Sequence, residues 1–351
     1  HAVSDITHLL PPKARKNYIQ ERNRIMKNTK SSVDLIKRSG FAGCTALALI
    51  LGSNANAQPD TLSWLSGSPG GTWYPISAGI AEIFTNEGTR TNAEVGAGLA
   101  NVSRISAGEA DIGVTTSTVP PVAQAGQEPF NAPINDIRAL AALFPSFQHV
   151  GVTRDSGIES VEDLTGVKVN CMAVGNSTQA AFVDRLKAAG ISEDDVDCAR
   201  GSHSFASDAI KDRNLEGFTL LSGYPNGTYN ELFQTVDMKL LPLPKDEFQR
   251  ISDINPGYAY SAIKAGSYPG QDADIPTVVS DLILFSREDM AEEDAYWIVK
   301  TMLENIERVR SVHAAMAPFS PEYMARISGI ELHPGAVRAY EEAGIEINND
   351  F

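Results

Sequence analysis

The sequence predicts an α/β protein of two lobes, built from two parallel or mixed sheets flanked by helices. Segments typical of strands alternate with segments of helical periodicity, and glycine-rich turns join many of them. This alternation starts near residue 61 and starts again near residue 148. Repeated strand–turn–helix units favour parallel sheets whose faces are covered by helices. An apolar run at 278–285 predicts a strand that returns to the first lobe.

The first lobe opens with a strand, a glycine-rich turn at 67–72 and a helix. That helix is predicted by apolar residues at helical spacing, namely Ile76, Ile80, Ile83 and Phe84. A second helix is predicted to run through Ile105. Short strands are predicted at 61–66, 93–95 and 111–114.

The second lobe repeats the pattern. Ser160-Val161-Glu162-Asp163 has the S-x-x-D form of a helix start, and Phe182, Leu186 and Ala189 mark one face of a later helix. Between 237 and 270 the sequence shows no regular pattern, and its role stays open. A long helix is predicted over 295–309. Strands are predicted at 149–153, 167–172 and 196–199.

Length and charge limit the function classes. The 351 residues suffice for two domains, and the net charge of −15 should repel nucleic acid and anionic lipid headgroups. We therefore expect no nucleic-acid partner.

The N-terminal region has the three parts of a secretory signal peptide. Basic residues follow Met26, a short apolar run covers 40–52, and Ala55-Asn56-Ala57 forms a small-x-small cleavage site. We expect a signal peptide at 26–57, cleavage after Ala57, and a periplasmic location. Residues 1–25 are expected to be an upstream extension outside the native start.

Two other interpretations of this region are weaker. A membrane anchor needs about 20 apolar residues, more than the run contains. A lipoprotein site at Cys44 would require the cysteine to follow the apolar run, and it lies near its beginning. Removal of 1–57 takes away nine of the 29 basic and three of the 44 acidic residues, which leaves a net charge of −21.

Cys171 and Cys198 are the cysteines that follow the cleavage site. They lie at the ends of two predicted neighbouring strands, and an oxidising compartment permits their pairing. A disulfide and two separately buried thiols both remain open from the sequence.

Two glycine-rich turns precede helices, one in each lobe. They are GSPGGTWYP at 67–75 and GNST at 175–178. A helix N-terminus offers unpaired N–H groups and partial positive charge, and glycine allows a ligand close to the backbone. Such turns bind anions at the carboxyl ends of strands, although a single turn is more often only a helix cap.

Signatures of enzymes and of metal or cofactor sites are missing. The sequence contains no G-x-S-x-G, Walker A, H-E-x-x-H or C-x-x-C motif, and Gly96–Asn101 only approaches the dinucleotide fingerprint. His203, His313 and His333 lack metal-ligand spacing, and we interpret them as surface or capping residues. We expect no enzyme activity, no cofactor and no metal.

Several motifs together resemble the TAXI family of TRAP-transporter solute receptors. GSPGGTWYP is similar to that family's GG-x-YYP opening, and 94–113 is similar to its TGGS-x-x-N helix with the small-G-E-x-D strand after it. Tyr268-Pro269-Gly270-Gln271 and the LHPGA stretch at 332–336 resemble two further signatures. Trp73 stands in place of a frequent tyrosine, and Gly96-Ala97-Gly98-Leu99 lacks the family's threonine and serine.

The resemblance implies a monomeric periplasmic binding protein of type II with a ligand crevice between lobes. Lobe 1 would comprise 58–147 and 273–351, and lobe 2 would comprise 148–272. The implied solute is a small anion, either an amino acid such as glutamate or a C4–C5 dicarboxylate such as 2-oxoglutarate. TRAP membrane subunits would be its partner, with a membrane sensor as the alternative and an exported hydrolase as the less favoured one.

Carried over residue by residue, the resemblance implies ligand contacts from both lobes. No arginine occurs in the turns, so a carboxylate would be held mainly by backbone N–H groups. The first lobe would contribute Ser68, Gly70, Gly71, Thr72, Tyr74, Gly96, Gly98, Asn101, Thr116 and Ser117. The second lobe would contribute Gly175, Asn176, Ser177, Thr178, Tyr224 and Pro225.

Overall fold

The structure is a computed structural model that describes residues 58–347. The predicted signal peptide and upstream extension lie outside these residues. None of the helices within 58–347 combines the length and the hydrophobicity of a membrane-spanning segment.

A single hydrogen-bonded sheet of ten strands runs through the described residues. Its central strands are unusually long, since globular strands are mostly about 5–6 residues. The strands are β1 Thr61–Leu65, β2 Arg90–Glu94, β3 Ile112–Thr116, β4 Ile137–Thr153, β5 Lys168–Asn170, β6 Asp197–Ala199, β7 Gly217–Ser222, β8 Met238–Leu240, β9 Ala259–Ile263 and β10 Ile275–Arg287.

The sheet consists of two halves with the same topology. The order is β2-β1-β3-β10-β4-β7-β5-β6, with β8 paired to β4 and β9 paired to β10. On one side β1, β2 and β3 are parallel and β10 is antiparallel to β3. On the other side β5, β6 and β7 are parallel and β4 is antiparallel to β7. We call the β1–β3 half with its helices the first lobe and the β5–β7 half with its helices the second lobe.

Strands β4 and β10 connect the two lobes. They are 17 and 13 residues long and pair with each other in antiparallel register from Val279↔Phe147 to Arg287↔Ile137. The chain thus crosses between lobes on adjacent strands, which confirms the predicted two-lobed type II binding-protein fold. The two predicted sheets form one continuous ladder, because β10 pairs with β3 of the first half and with β4, and β4 pairs in turn with β7 of the second half. The proposed lobe boundaries stay predictions, and β4 passes 147/148 without interruption.

Helices pack on the faces of both lobes. Most begin directly after a strand and a short turn, as the sequence predicts. The helices are α1 Trp73–Asn86, α2 Gly98–Ser106, α3 Val119–Gln124, α4 Ser177–Ala188, α5 His203–Lys211, α6 Gly227–Thr235, α7 Lys245–Ile254, α8 Glu292–Glu304, α9 Ile306–Ser311, α10 Pro321–Met324 and α11 Pro334–Glu342.

Some predicted elements differ in the structure. The helix expected after Ser160 is only a 3₁₀ turn at Glu162–Leu164, because Gly166 adopts a left-handed φ of 72° that ends it. The helix expected over 295–309 is interrupted at Asn305, between α8 and α9. The segment at 237–270, which had no predicted pattern, contains β8, α7 and β9.

Apolar residues on both faces of the sheet form the cores of the lobes. Every residue of β3 and of β7 is buried, as expected for parallel strands covered on both faces by helices. Ile76, Ile80 and Phe84 of α1 are also buried and pack in the first-lobe core, so the helical spacing predicted this face correctly.

In the second lobe, Cys171 and Cys198 are joined by a disulfide, with their Cα atoms 5.4 Å apart. They lie on the neighbouring strands β5 and β6 or just beyond them, where the register pairs Val169 with Cys198. Glu193 lies close to both sulfurs. Because a disulfide sulfur is not a thiolate, this group lacks the ligands that a metal would need.

An ion pair is buried in the second lobe. Arg185 of α4 donates from Nε to Glu247 of α7 at 3.0 Å, and their side chains are 0% and 2% exposed. Arg185 also donates from Nη2 to the Pro242 carbonyl at 2.7 Å. Burial lowers the pKa of Arg185 and raises that of Glu247, while the attraction between the two charges opposes both shifts.

Replacement of Glu247 by alanine should strongly destabilise the protein. Removing one partner leaves a buried, uncompensated charge on Arg185, at a cost of about 3–5 kcal/mol in free energy of unfolding. The neighbouring Asp246 forms an exposed i,i+4 pair with Arg250 and provides the control. Asp246→Ala should cost less than about 1 kcal/mol. Urea unfolding of both variants measures the difference in free energy of unfolding. Equal losses in the two variants would show that the buried pair contributes no more to stability than the exposed one.

Candidate functional site

A cavity lies where the two lobes meet. Its volume is about 20 Å³, which is enough for about one water molecule. A larger solute therefore requires the lobes to move apart. Among the described residues its lining contains no aspartate, glutamate, lysine or arginine, and His203 is the one histidine in it. The lining residues are Gly67, Ser68, Gly71, Trp73, Ala97, Gly98, Asn176, Thr178, His203, Leu220 and Leu221.

Helix N-termini from both lobes surround this cavity. The first lobe contributes α1, which follows Thr72, and α2, which begins at Gly98. The second lobe contributes α4, which begins at Ser177, and α5, which begins at His203. All four helices start beyond the carboxyl ends of strands, the position at which open α/β sheets bind ligands. The positive ends of the helix dipoles favour a carboxylate or another anionic group here.

The first glycine-rich turn is bonded directly to the second lobe. The Gly70 carbonyl accepts hydrogen bonds from Asn226 Nδ2 at 3.3 Å and Thr228 Oγ1 at 3.1 Å. The hydroxyl groups of Thr72 and Ser222 form a hydrogen bond with each other, and Thr72 Oγ1 also accepts one from the Gly223 N–H at 3.0 Å. These bonds hold the lobes in a closed arrangement.

A second point of contact joins α2 to α4. The Ala100 N–H donates to the Gly175 carbonyl at 3.2 Å. Gly98 lies so close to Ser177 that a Cβ on Gly98 would stand 1.9 Å from Ser177 Oγ. A larger residue at position 98 would therefore force the Ser177 hydroxyl or a neighbouring group to shift.

Several N–H groups expected to hold a carboxylate already have partners. Gly71 donates to the Ser68 carbonyl, and Thr72 donates to Ser222 Oγ. The Thr178 N–H donates to Asn176 Oδ1 at 2.8 Å. A carboxylate in the closed cleft must therefore compete with these bonds or use side chains.

His203 corrects an expectation from the sequence. It was interpreted as a surface or capping residue, but it is 3% exposed and lines the cavity. Its Nδ1 lies 2.9 Å from the Pro69 carbonyl of the other lobe. The sequence signal was the turn before it, since Gly201-Ser202 follows a predicted strand and Ser202 caps α5. His313 and His333 do act as caps, accepting from the N–H groups of Ala315 and Gly335.

Trp73, Leu220 and Leu221 also line the cavity, although they were not among the predicted contacts. Trp73 is 7% exposed, and its indole Nε1 donates to Ser146 Oγ of β4 at 3.0 Å. The leucines supply an apolar wall from β7. This wall was not predicted because apolar strand residues are ordinarily core.

Of the predicted contacts, five line the cavity and four lie at the lobe contact beside it. Ser68, Gly71, Gly98, Asn176 and Thr178 line it. The four at the contact are Gly70, Thr72, Gly175 and Ser177.

Gly96 and Asn101 occupy structural positions. Asn101 Nδ2 donates to the carbonyls of Ser66 and Val114 at 2.9 and 2.8 Å, and its Oδ1 accepts from the Ala97 N–H. A Cβ on Gly96 would lie 2.3 Å from that Oδ1. Asn101 thus links α2 to β1 and β3, and its side-chain amide bonds to the backbone and is not available to a ligand.

The remaining predicted contacts lie outside the cavity lining. Thr116 bonds to Thr118, and Ser117 pairs with Asp281 of β10 beside a separate cavity of about 350 Å³. Tyr74 stands half-buried in the first turn of α1. Tyr224 packs on Phe147 and precedes Pro225 through a cis peptide bond.

A third cavity, of about 180 Å³, lies further along the contact between the lobes. Leu99 and Thr118 of the first lobe line it, together with Ala180, Asp184 and Tyr258 of the second. Tyr258 donates to Asp184 at 3.1 Å, and burial raises the pKa of that carboxyl. Leu99 follows Gly98, so this space adjoins the glycine contact.

A buried chain of hydrogen bonds supports the cleft from the second lobe. His149 Nδ1 donates to the Phe147 carbonyl at 3.0 Å, since a carbonyl can only accept, and Nε2 accepts from the Tyr268 hydroxyl at 2.8 Å. The Tyr268 oxygen accepts from the Asn226 N–H at 3.0 Å. Asn226 in turn contacts Gly70. Burial lowers the pKa of His149 to about 4.

Fold and cleft together define a two-lobed protein with a small, largely uncharged site between lobes. The chain belongs to the NMT1-like family, whose sequence model matches residues 65–344.

Solved structures with similarity to the chain include two binding proteins. The periplasmic aliphatic sulphonate binding protein SsuA from Escherichia coli is 15% identical, with a TM-score of 0.42 over 81% of this chain and 84% of that chain. The amino acid ABC transporter substrate-binding protein AbpA from Streptococcus pneumoniae, bound to L-arginine, is 11% identical, with a TM-score of 0.44 over 74% and 95%. The fold assignment rests on this chain's own topology.

Closure of the cleft should depend on Gly98. A methyl group at this position meets Ser177 Oγ, so Gly98→Ala should disfavour the closed form by about 1–3 kcal/mol. Small-angle scattering should show a larger radius of gyration than for the wild type. Gly227→Ala is the control, since a Cβ there has no heavy atom within 4 Å among the described residues. An unchanged radius for Gly98→Ala would contradict the role of this contact.

Stability should fall in acid because of His149. Its pKa is about 4 in the folded protein and about 6.5 when unfolded, so the unfolded state binds the proton first. The contribution of His149 to stability is therefore complete above pH 6.5, and about 3 kcal/mol of it is lost progressively as the pH falls from 6.5 to about 4. His149→Gln should remove most of this pH dependence. Unfolding curves at pH 7.5 and 4.5 measure it, and an equal loss in both proteins would refute it.

Proposed function

We propose that the protein is an exported solute-binding receptor that captures a small carboxylate-bearing solute between its lobes and delivers it to a membrane transporter. The observation that carries this proposal is the convergence of four helix N-termini, two from each lobe, on one cavity. Helix starts of this kind favour anionic groups. An enzyme would need a nucleophile and a base within reach. Among the described residues, the hydrogen bond of His203 goes to the Pro69 carbonyl and not to a serine or threonine of the lining.

The two strands that cross between the lobes would allow the lobes to close when a solute binds. Because β4 and β10 are adjacent and antiparallel, bending at this pair would move the lobes as bodies. The lobes are bonded through Gly70, Thr72 and Gly175, so a solute that strengthens this contact would favour the closed form. A membrane partner could then distinguish loaded from empty receptor.

The finer proposal is a receptor of a TRAP transporter of the TAXI type, with an ion gradient as driving force. It is supported by the ordered motifs from GSPGGTWYP to LHPGA. The proposed solute is an amino acid or a C4–C5 dicarboxylate. Uptake in proteoliposomes that contain the membrane subunits would test the coupling, because a TRAP system should stop with an ionophore and continue without ATP.

A thermal-shift screen tests the receptor function directly. The chain from Gln58 onward would be screened against amino acids, C4 and C5 dicarboxylates, 2-oxo acids and small sulfonates. A solute at about 100 times its dissociation constant should add about 2.7 kcal/mol to the free energy of unfolding. We expect a clear shift with one chemical group of the panel. The Gly98→Ala variant should bind that solute about 5- to 150-fold more weakly, which is the change that about 1–3 kcal/mol produces. The absence of any shift with the wild type would count against the proposal.

A further inference from the structure

One side chain in the cavity has a polar atom without a partner. His203 is 3% exposed, and its Nε2 is buried and makes no hydrogen bond among the described residues. Buried polar atoms in folded proteins nearly always have partners, so an unpartnered one in a cleft marks a place where a ligand group, or water in its absence, forms a hydrogen bond. Ser177 Oγ at the adjacent Gly98 contact is likewise buried and unpartnered.

The hydrogen-bonding role of this Nε2 atom follows from the other ring nitrogen. His203 Nδ1 lies 2.9 Å from the Pro69 carbonyl, which can only accept, so Nδ1 carries a proton. Burial lowers the pKa of His203, and no charged side chain lines the cavity in the described residues to reverse this effect. The ring is therefore neutral near pH 7, and Nε2 carries a lone pair.

Closure itself fixes this arrangement, because Pro69 and His203 belong to different lobes. When the lobes meet, the Pro69 carbonyl accepts a hydrogen bond from the Nδ1–H group, and Nε2 is left as an unpaired acceptor on a residue that lines the cavity. A carboxylate opposite Nε2 would repel its lone pair unless the ring took up a second proton. An ammonium or hydroxyl group would donate to it directly.

We propose that His203 is a specificity-determining residue that accepts a hydrogen bond from the solute. The cleft then selects zwitterionic amino acids over anionic acids of the same skeleton that lack the donor. The uncharged lining supports this choice, because a zwitterion brings no net charge into the closed cavity. The Ser177 hydroxyl and the helix N-termini are suited to the carboxylate. This inference rests on the proposed receptor function and narrows its solute class.

Calorimetric titration at pH 8 with matched pairs tests the proposal. Each protein amino acid that binds would be compared with its own 2-oxo acid, which has the carboxylate but not the amine. We expect the amino acid to bind at least about 10-fold more tightly, since a site built for a donor leaves its acceptor unpaired with the analogue. Repeating the titration in buffers of different ionisation enthalpy should show no net proton uptake with the amino acid.

Two substitutions separate the acceptor from the shape of the site. His203→Asn can still reach Pro69 but has no atom at the Nε2 position, so the preference for the amino acid should fall by about 5- to 150-fold. His203→Gln can place an oxygen at the Nε2 position and should retain most of the preference. His313→Asn is the matched control, because His313 caps a turn and lies outside the cavity lining. Circular dichroism would verify that each variant folds.

The outcomes distinguish this proposal from the receptor function. Equal or tighter binding of the 2-oxo acid would overturn the role of His203 and leave the receptor function intact. Uptake of about one proton with the amino acid would also overturn it, since the ring would then donate. Both results come from the wild-type protein and need no variant. If no panel solute binds the wild type, the receptor function itself fails.

Discussion

The antiparallel pairing of β4 with β10 is the interaction on which the rest of the structure depends. Each strand belongs to both lobes, so the sheet continues through the middle of the molecule. The register slips at Leu282/Ile283 and at Leu284/Phe285. Such irregularities locally increase twist and bend a strand. The pairing thus fixes how the lobes face each other and leaves a seam about which they can turn.

The cleft between the lobes is formed by close contacts between their backbones and contains no charged side chains among the described lining residues. Gly98 fits against Ser177, and the Gly70 carbonyl is close enough to bond to two side chains of the second lobe. Bulky residues at such positions would separate the lobes. A site of this kind recognises a solute through the backbone and a few polar side chains, and its selectivity lies in which of them donate and which accept.

Behind the cleft, buried polar groups form a support that reaches from His149 through Tyr268 to Asn226. Each of these polar groups has a hydrogen-bond partner. The network is therefore rigid, because breaking one of its hydrogen bonds would leave a buried polar group unpaired. His203, which lines the cavity, differs because its Nε2 has no such partner among the described residues. The contrast separates groups that hold the fold from a group suited to recognition.

The sequence by itself determined the alternation of strands and helices, the two lobes and the turns at which binding is expected. These are local features, since period, capping and glycine placement are written within a few residues. Nine of the sixteen predicted contacts lie in the cavity lining or at the lobe contact beside it. Asn101 shows the limit of prediction from the sequence. Its amide donates to the carbonyls of Leu65, Ser66 and Val114, which only the fold brings together.

Only the tertiary structure decided the place of His203 in the cavity lining, the apolar wall of Leu220 and Leu221, and the fusion of two sheets into one. Pro69 and His203 are 134 residues apart in the chain, and no local pattern records that the carbonyl of one meets the ring of the other. Whether a buried polar atom has a partner depends on every element packed around it. Whether His203 Nε2 has a partner is settled only when the lobes close, so it depends on the complete fold and not on any local stretch of sequence.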